Sequence, residues 1–106
     1  MSESLKTILS ELKSRFQELY GDRLVQMVLY GSQARDDAEL GSDIDVLVVL
    51  SGEVNPCTEI QRASDIVGDI SLRNDIVVSC VFMDEGRFLH RNGPFLRNVR
   101  REGVGI

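Results

Sequence analysis

The 106-residue chain is 42% hydrophobic and 27% charged, with a formal net charge of −5. That length accommodates one domain around one core, and the composition is that of a globular chain, not a disordered one. Such acidity argues against general nucleic-acid binding, which needs a basic face to displace counterions. The longest apolar run, Val46 to Leu50, is far too short to span a bilayer.

Leu5, Ile8, Leu9, Leu12, Phe16 and Leu19 recur at three- and four-residue spacing, which predicts a helix over residues 3–20 capped by Ser2 or Ser4 and stopped at Gly21-Asp22. Leu24 to Tyr30 is rich in β-formers and reads as a buried strand, with Tyr30 in the core. Gly31-Ser32 breaks it, and one or two helical turns are expected through Ala38. The segment ELGSD then reads as a loop before a second buried strand, Ile44 to Leu50. After a loop to Pro56, a helix is expected from Cys57 to about Leu72, with Ile60, Ala63, Val67 and Ile70 on its inner face and Gly68 as a weak point. Asp75 to Met83 reads as a third strand, and Asp84–His90 and Pro94–Arg101 as short helices separated by the Asn92-Gly93-Pro94 break. This order predicts a layered α/β (α+β) domain over residues 1–106, a small mixed sheet with helices packed on it.

No continuous apolar segment marks a signal peptide. Cys57 and Cys80 lack CxxC or metal-type spacing, so free thiols and a cytoplasmic location are expected. Five arginines, Arg87, Arg91, Arg97, Arg100 and Arg101, give the acidic body a mildly basic tail; the Arg97, Arg100, Arg101 stretch reads as a solvated helix face, with a partner-binding role as the alternative. His90 stands without a second ligand at metal spacing and reads as structural or simply exposed.

The chemistry concentrates in GSQARDDAELGSDIDVLVV, residues 31–49. Side chains alternate along a strand, so Asp43 and Asp45 project from one face, with Cα atoms roughly 7 Å apart. Two carboxylates that close repel one another and call for a cation between them, and a pair of oxygen ligands suits Mg²⁺. Gly31 permits a tight turn and close backbone approach, the following amides with the Ser32 hydroxyl make an anion site, and Arg35 can add its planar fork. Asp75, opening the third strand, is the expected third carboxylate, with Asp69 as the runner-up. There is no GxxxxGK[ST], GxSxG or HExxH, which leaves P-loop, serine-hydrolase and zinc-protease readings without support.

Gly31-Ser32, ten residues, then Asp43-Ile44-Asp45 resembles the GS-x10-DxD signature of the polymerase-β-like nucleotidyltransferase superfamily. The whole segment, with the closing GPFLRNVRREGV, is similar to the minimal nucleotidyltransferase (MNT) family. The resemblance implies a nucleoside triphosphate, ATP above all, held by Gly31, Ser32 and Arg35, and two Mg²⁺ on Asp43, Asp45 and Asp75. On this reading Asp75 completes the site and helps deprotonate the acceptor hydroxyl. It further implies an antitoxin paired with a HEPN-domain toxin, neutralising it by binding or by transferring AMP to its tyrosine; homo- or hetero-oligomers are both compatible with this. One departure is Asp36, where the family commonly has Gly, which adds negative charge near the cradle. A non-catalytic module acting by contact alone is the alternative. Transfer to a small molecule such as an aminoglycoside is a third reading, weakened by the lack of a second lobe.

Overall fold

The computed structural model describes residues 1–35 and 43–106. Its elements are α1 (Glu3–Tyr20), a 3₁₀ turn (Gly21–Arg23), β1 (Leu24–Tyr30), β2 (Ile44–Leu50), α2 (Pro56–Asn74), β3 (Val78–Asp84), α3 (Glu85–His90), α4 (Pro94–Glu102) and β4 (Val104–Gly105). The strands form one sheet in the order β3-β2-β1-β4. β1 runs antiparallel to both β2 and β4, whereas β2 and β3 are parallel, with α2 as the crossover. This is the mixed α/β class expected. Beyond Arg35, the turns expected through Ala38, with Asp36, and the ELGS part of the loop lie outside the described residues.

Alternation decides which layer each strand residue meets. Met27, Leu29, Ile44, Val46, Val48, Leu50, Val78 and Phe82 pack with Leu5, Leu9, Leu12, Phe16 and Tyr20 of α1 and with Ala63 and Ile70 of α2. The opposite face brings Val28, Leu47 and Val49 against Leu96 and Val99 of α4. β2 is therefore covered on both sides, which is why it reads as an apolar run with no polar alternation beyond Asp45. The odd-numbered residues of β2 face the α3/α4 layer, so Asp43 and Asp45 emerge on the thinner side of the sheet.

Helix α1 begins where Ser2 accepts the Leu5 N–H at 3.1 Å and ends at Gly21, whose φ is 54°. Four-residue steps from Leu12 and Phe16 arrive at Tyr20, so Tyr20 is buried and the expected Leu19 is left 36% exposed. In α2 the expected inward Ile60 is 54% exposed, and its neighbour Glu59 is buried instead. Arg23 and Arg62, at 3.7 and 3.5 Å, offset that buried charge.

The largest boundary difference is at β3, which opens at Val78 and not at Asp75. Asp75 is the C-cap of α2 in the left-handed conformation, its N–H donating to the Ser71 carbonyl. Ile76 N–H donates to that same carbonyl and Val78 N–H to the Ser71 hydroxyl, so the chain reaches the sheet only at Val77–Val78. Asp tolerates this conformation better than most side chains, which makes Asp75 a helix-ending residue.

Phe16 has no exposed surface and contacts the Tyr20 and Phe82 rings at centroid separations of 5.8 and 6.1 Å. Phe16→Ala is expected to cost about 3–5 kcal/mol, as a chevron or equilibrium urea titration would report.

Candidate active site

Three strands bring Tyr30, Asp45 and Ser79 into one row. Tyr30 pairs with Asp45 across the β1–β2 ladder, and Asp45 with Ser79 across the β2–β3 ladder. Registered partners share a face at strand spacings of about 4.8 Å, so the carboxylate stands between a phenol and a hydroxyl. Immediately after Tyr30 the chain turns at Gly31, whose φ is 77°. A Cβ there would lie 2.6 Å from Asp45 Oδ2, so the position requires glycine both for its backbone conformation and for the room it leaves the carboxylate. The Gly31 carbonyl accepts from Ala34 N–H at 3.1 Å and Arg35 N–H at 3.2 Å, closing a single helical turn that starts at Ser32. Arg35 Nη1 in turn donates to Glu102 Oε2 at 3.0 Å.

The electrostatics match a site built for a cation. Asp45 is half-buried, and its carboxyl is held above the ordinary carboxylate range, first by burial and then by the charge of Asp43. Tyr30 is pushed up as well, by burial first and by Asp45 second. A bound cation would reverse both penalties on Asp45. Asp43 is exposed, leaving room for waters or phosphate oxygens to complete an oxygen shell. Two hard carboxylate donors beside an anion-accepting turn fit a divalent metal shared with a phosphate.

The expected residues do not all meet here. Gly31 and Asp45 are in contact, Asp43 joins them by strand alternation, and Ser32 opens the adjoining turn. Asp75, expected as the third carboxylate, is instead an exposed helix cap, and among the described residues no three His, Cys, Asp or Glu side chains gather as an ion site. Asp69 lies on the surface of α2, where hydrogen bonds from Arg73 first and Arg15 second hold its carboxyl below the usual range. The basic tail is more than a solvated face: Arg100 donates to the Phe88 and Arg91 carbonyls and to Asn92, fastening α4 to α3. His90 is exposed at the end of α3, and both cysteines are free thiols. Sequence reasoning missed Ser79 and Glu102. Ser79 could have been found only from the β2–β3 register, and Glu102 only from the docking of α4 near β1.

A layered sheet that aims a carboxylate pair and a glycine-serine turn at one point is the architecture of a nucleotidyl-transfer enzyme. Residues 6–99 match the nucleotidyltransferase domain family, and the chain belongs to it. Two proteins of Methanocaldococcus jannaschii, each named "Putative protein adenylyltransferase", are similar to it. MJ0604 is 31% identical over 95% of this chain and 92% of its own length. MJ0141 is 35% identical over 68% of this chain and 72% of its own. Among solved structures, a toxin–antitoxin with AMP-PNP superposes with a TM-score of 0.63 at 16% identity, covering 89% of this chain and 68% of that one, a likeness of fold.

Gly31→Ala is expected to lose roughly 1–3 kcal/mol of stability to backbone strain, with the Asp45 contact adding to it, readable by urea unfolding. Asp45→Asn is expected to do the opposite at neutral pH, raising stability because it removes a half-buried like charge. The sign follows from the direction of the shift. The wild-type penalty is complete above the raised folded value of Asp45, shrinks as pH falls through it, and vanishes below the unfolded value of about 3.9. Thermal melts of both proteins from pH 7 to pH 3 should therefore converge at the acid end.

Proposed function

We propose that this chain transfers AMP from ATP, with Mg²⁺, to a hydroxyl of a partner protein, as the antitoxin of a HEPN-type toxin–antitoxin pair. The observation that carries the reading is the contact between Gly31 and Asp45, which makes the anion turn and the carboxylate pair one site. The names of the two relatives support adenylyl transfer to protein, and the toxin–antitoxin with AMP-PNP supports a nucleotide and a protein partner. The cytoplasm, where ATP and such partners meet, is the compartment consistent with it. Among the described residues no helix is long and apolar enough to cross a membrane.

Asp43 and Asp45 would hold the metal, and the Ser32 hydroxyl and the turn amides would receive the β- and γ-phosphates, with Arg35 adding its guanidinium. Bound on the two carboxylates, Mg²⁺ supplies charge neutralisation for the triphosphate and its leaving group. The acceptor oxygen attacks the α-phosphorus, the bond to the α,β-bridging oxygen breaks, and pyrophosphate departs with that electron pair. The hydroxyl proton passes to solvent at the exposed side of Asp43. Val77, just before the edge strand β3, and Val81 within it flank Ser79 and are 56% and 37% exposed, and Phe95, edge-on to Tyr30, is 37% exposed. An apolar rim of this kind beside the carboxylates suits a protein surface as acceptor.

A second reading, contact-only neutralisation, is favoured by the observation that among the described residues no three His, Cys, Asp or Glu side chains gather as an ion site. One experiment separates the two. With ATP labelled at the α-phosphate, the adenylyl reading expects label on the HEPN-type partner, lost about 100-fold or more in Asp45→Asn and in EDTA. Undiminished labelling by the variant would refute the site assignment. Neutralisation that survives Asp45→Asn without any labelling would establish the contact reading.

A further inference from the structure

Residues 86–101 hold five arginines and no carboxylate. The whole chain has a net charge of −5, so the other residues together carry −10. Positive charge is thus gathered on α3, α4 and the break between them. Part of it is structural: Arg100 fastens α4 to α3, and Arg101 meets Asn98 and Glu102. Arg87 and Arg91 have a different setting. Both line a cleft of about 590 Å³ where β3, α3 and the start of α4 meet, with Met83, Pro94, Phe95 and Leu96 as its apolar wall. Pro94 opens α4 just past the Asn92-Gly93 break, and the bonds from Arg100 to the Phe88 and Arg91 carbonyls hold the two helices in this relation. One end of the cleft leads to the carboxylates. Phe95 stands edge-on to the Tyr30 ring, 5.3 Å between centroids, and Tyr30 pairs with Asp45 across the β1–β2 ladder.

We propose that this cleft docks an acidic segment of the acceptor protein, with an aromatic side chain against Phe95 and Met83 and carboxylates on Arg87 and Arg91. The proposal rests on the adenylyl-transfer reading given above and adds how the acceptor is recognised. Charge complementarity selects the occupant, since a guanidinium presents a planar fork that matches a carboxylate. Arg91 is exposed and among the described residues makes no ion pair. Arg87 Nε meets Asp84 Oδ1 at 3.3 Å, but its side chain is 63% exposed, and a surface pair of that kind exchanges readily for another. The composition of the wall agrees. Aromatic, Met and Arg residues are those enriched at protein interfaces, and Phe95, Met83, Arg87 and Arg91 are such a set. A long polyanion such as RNA would run from this face onto the acidic remainder of the chain. A short acidic segment stays on the basic face, where a Debye length of about 8 Å screens that repulsion.

The test is fluorescence anisotropy of the whole protein with labelled poly(Glu,Tyr), in the absence of nucleotide, beside poly(Glu), poly(Lys,Tyr) and poly(U). Wild type is compared with Arg91→Ser and with the double variant Arg87→Ser, Arg91→Ser, and each is melted thermally. The expected result is saturable binding of poly(Glu,Tyr) in preference to the other three polymers. The double variant should weaken it about two- to thirtyfold, the range that two surface ion pairs span, at an unchanged melting temperature. Should the double variant melt early, Arg91→Ser alone gives the readout, with a smaller loss in the same direction. No binding of poly(Glu,Tyr), or binding unchanged in both variants, overturns the proposal. Poly(Glu) bound as tightly would reduce the face to bare charge attraction, and poly(U) bound more tightly would make it a nucleic-acid surface; either overturns it. So does a dimer in sedimentation velocity that Arg91→Ser disperses, because a second copy would then be the occupant. With no nucleotide present, these failures leave the adenylyl reading standing. Wild type that binds no Mg²⁺-ATP removes that reading, and the acceptor role of the cleft falls with it.

Discussion

The approach of the Asp45 carboxylate to Gly31 is the constraint on which the rest of the site depends. It exists because β1 and β2 pair with Tyr30 opposite Asp45, and that register is dictated by burial. Met27, Leu29, Val46 and Val48 must face α1 and α2, while Val28, Leu47 and Val49 must face α4. A slip of one residue would exchange every one of these faces and drive Asp45 into the larger core. The hydrophobic pattern of two short strands therefore also sets the position of the Asp45 carboxylate, with no separate device needed to aim it.

The same arrangement carries a conflict. Asp43 and Asp45 repel one another, and partial burial of Asp45 sharpens the repulsion, since the charged form is the one that loses solvation. Such a site favours any cation that two oxygens can grip, and it does so at the expense of the unliganded fold. The C-terminal segment bears on the same region from the other side. α4 covers Val28, Leu47 and Val49, Gly103 lets the chain turn tightly against β1, and β4 closes the free edge of that strand. One segment thus completes the small core, caps the sheet and delivers Glu102 to Arg35.

Much of this was legible in the sequence, and the reasons for what was not are local. The first helix, both central strands and the Gly31-Ser32…Asp43-Ile44-Asp45 spacing could be read because each depends on periodicity or on residues close in the chain. Asp75 misled because a carboxylate just before a β-rich run looks like the start of a strand. Its left-handed backbone and the bond to Ser71 are properties of the helix end, which composition does not display. Ile60 misled because α2 turns Glu59 inward, a choice made tolerable by Arg23 and Arg62, and Arg23 comes from a distant part of the chain. Ser79 and Glu102 take their meaning from the β2–β3 register and from the docking of the C-terminus, neither of which a single sequence exposes.

The central claim is that the turn and the carboxylate pair form one metal-dependent nucleotide site. Isothermal titration of ATP into the purified protein, once with Mg²⁺ and once with EDTA, addresses it most directly. Saturable binding with Mg²⁺ that disappears in EDTA is the predicted result. Binding of equal strength in both conditions, or no binding in either, would contradict it.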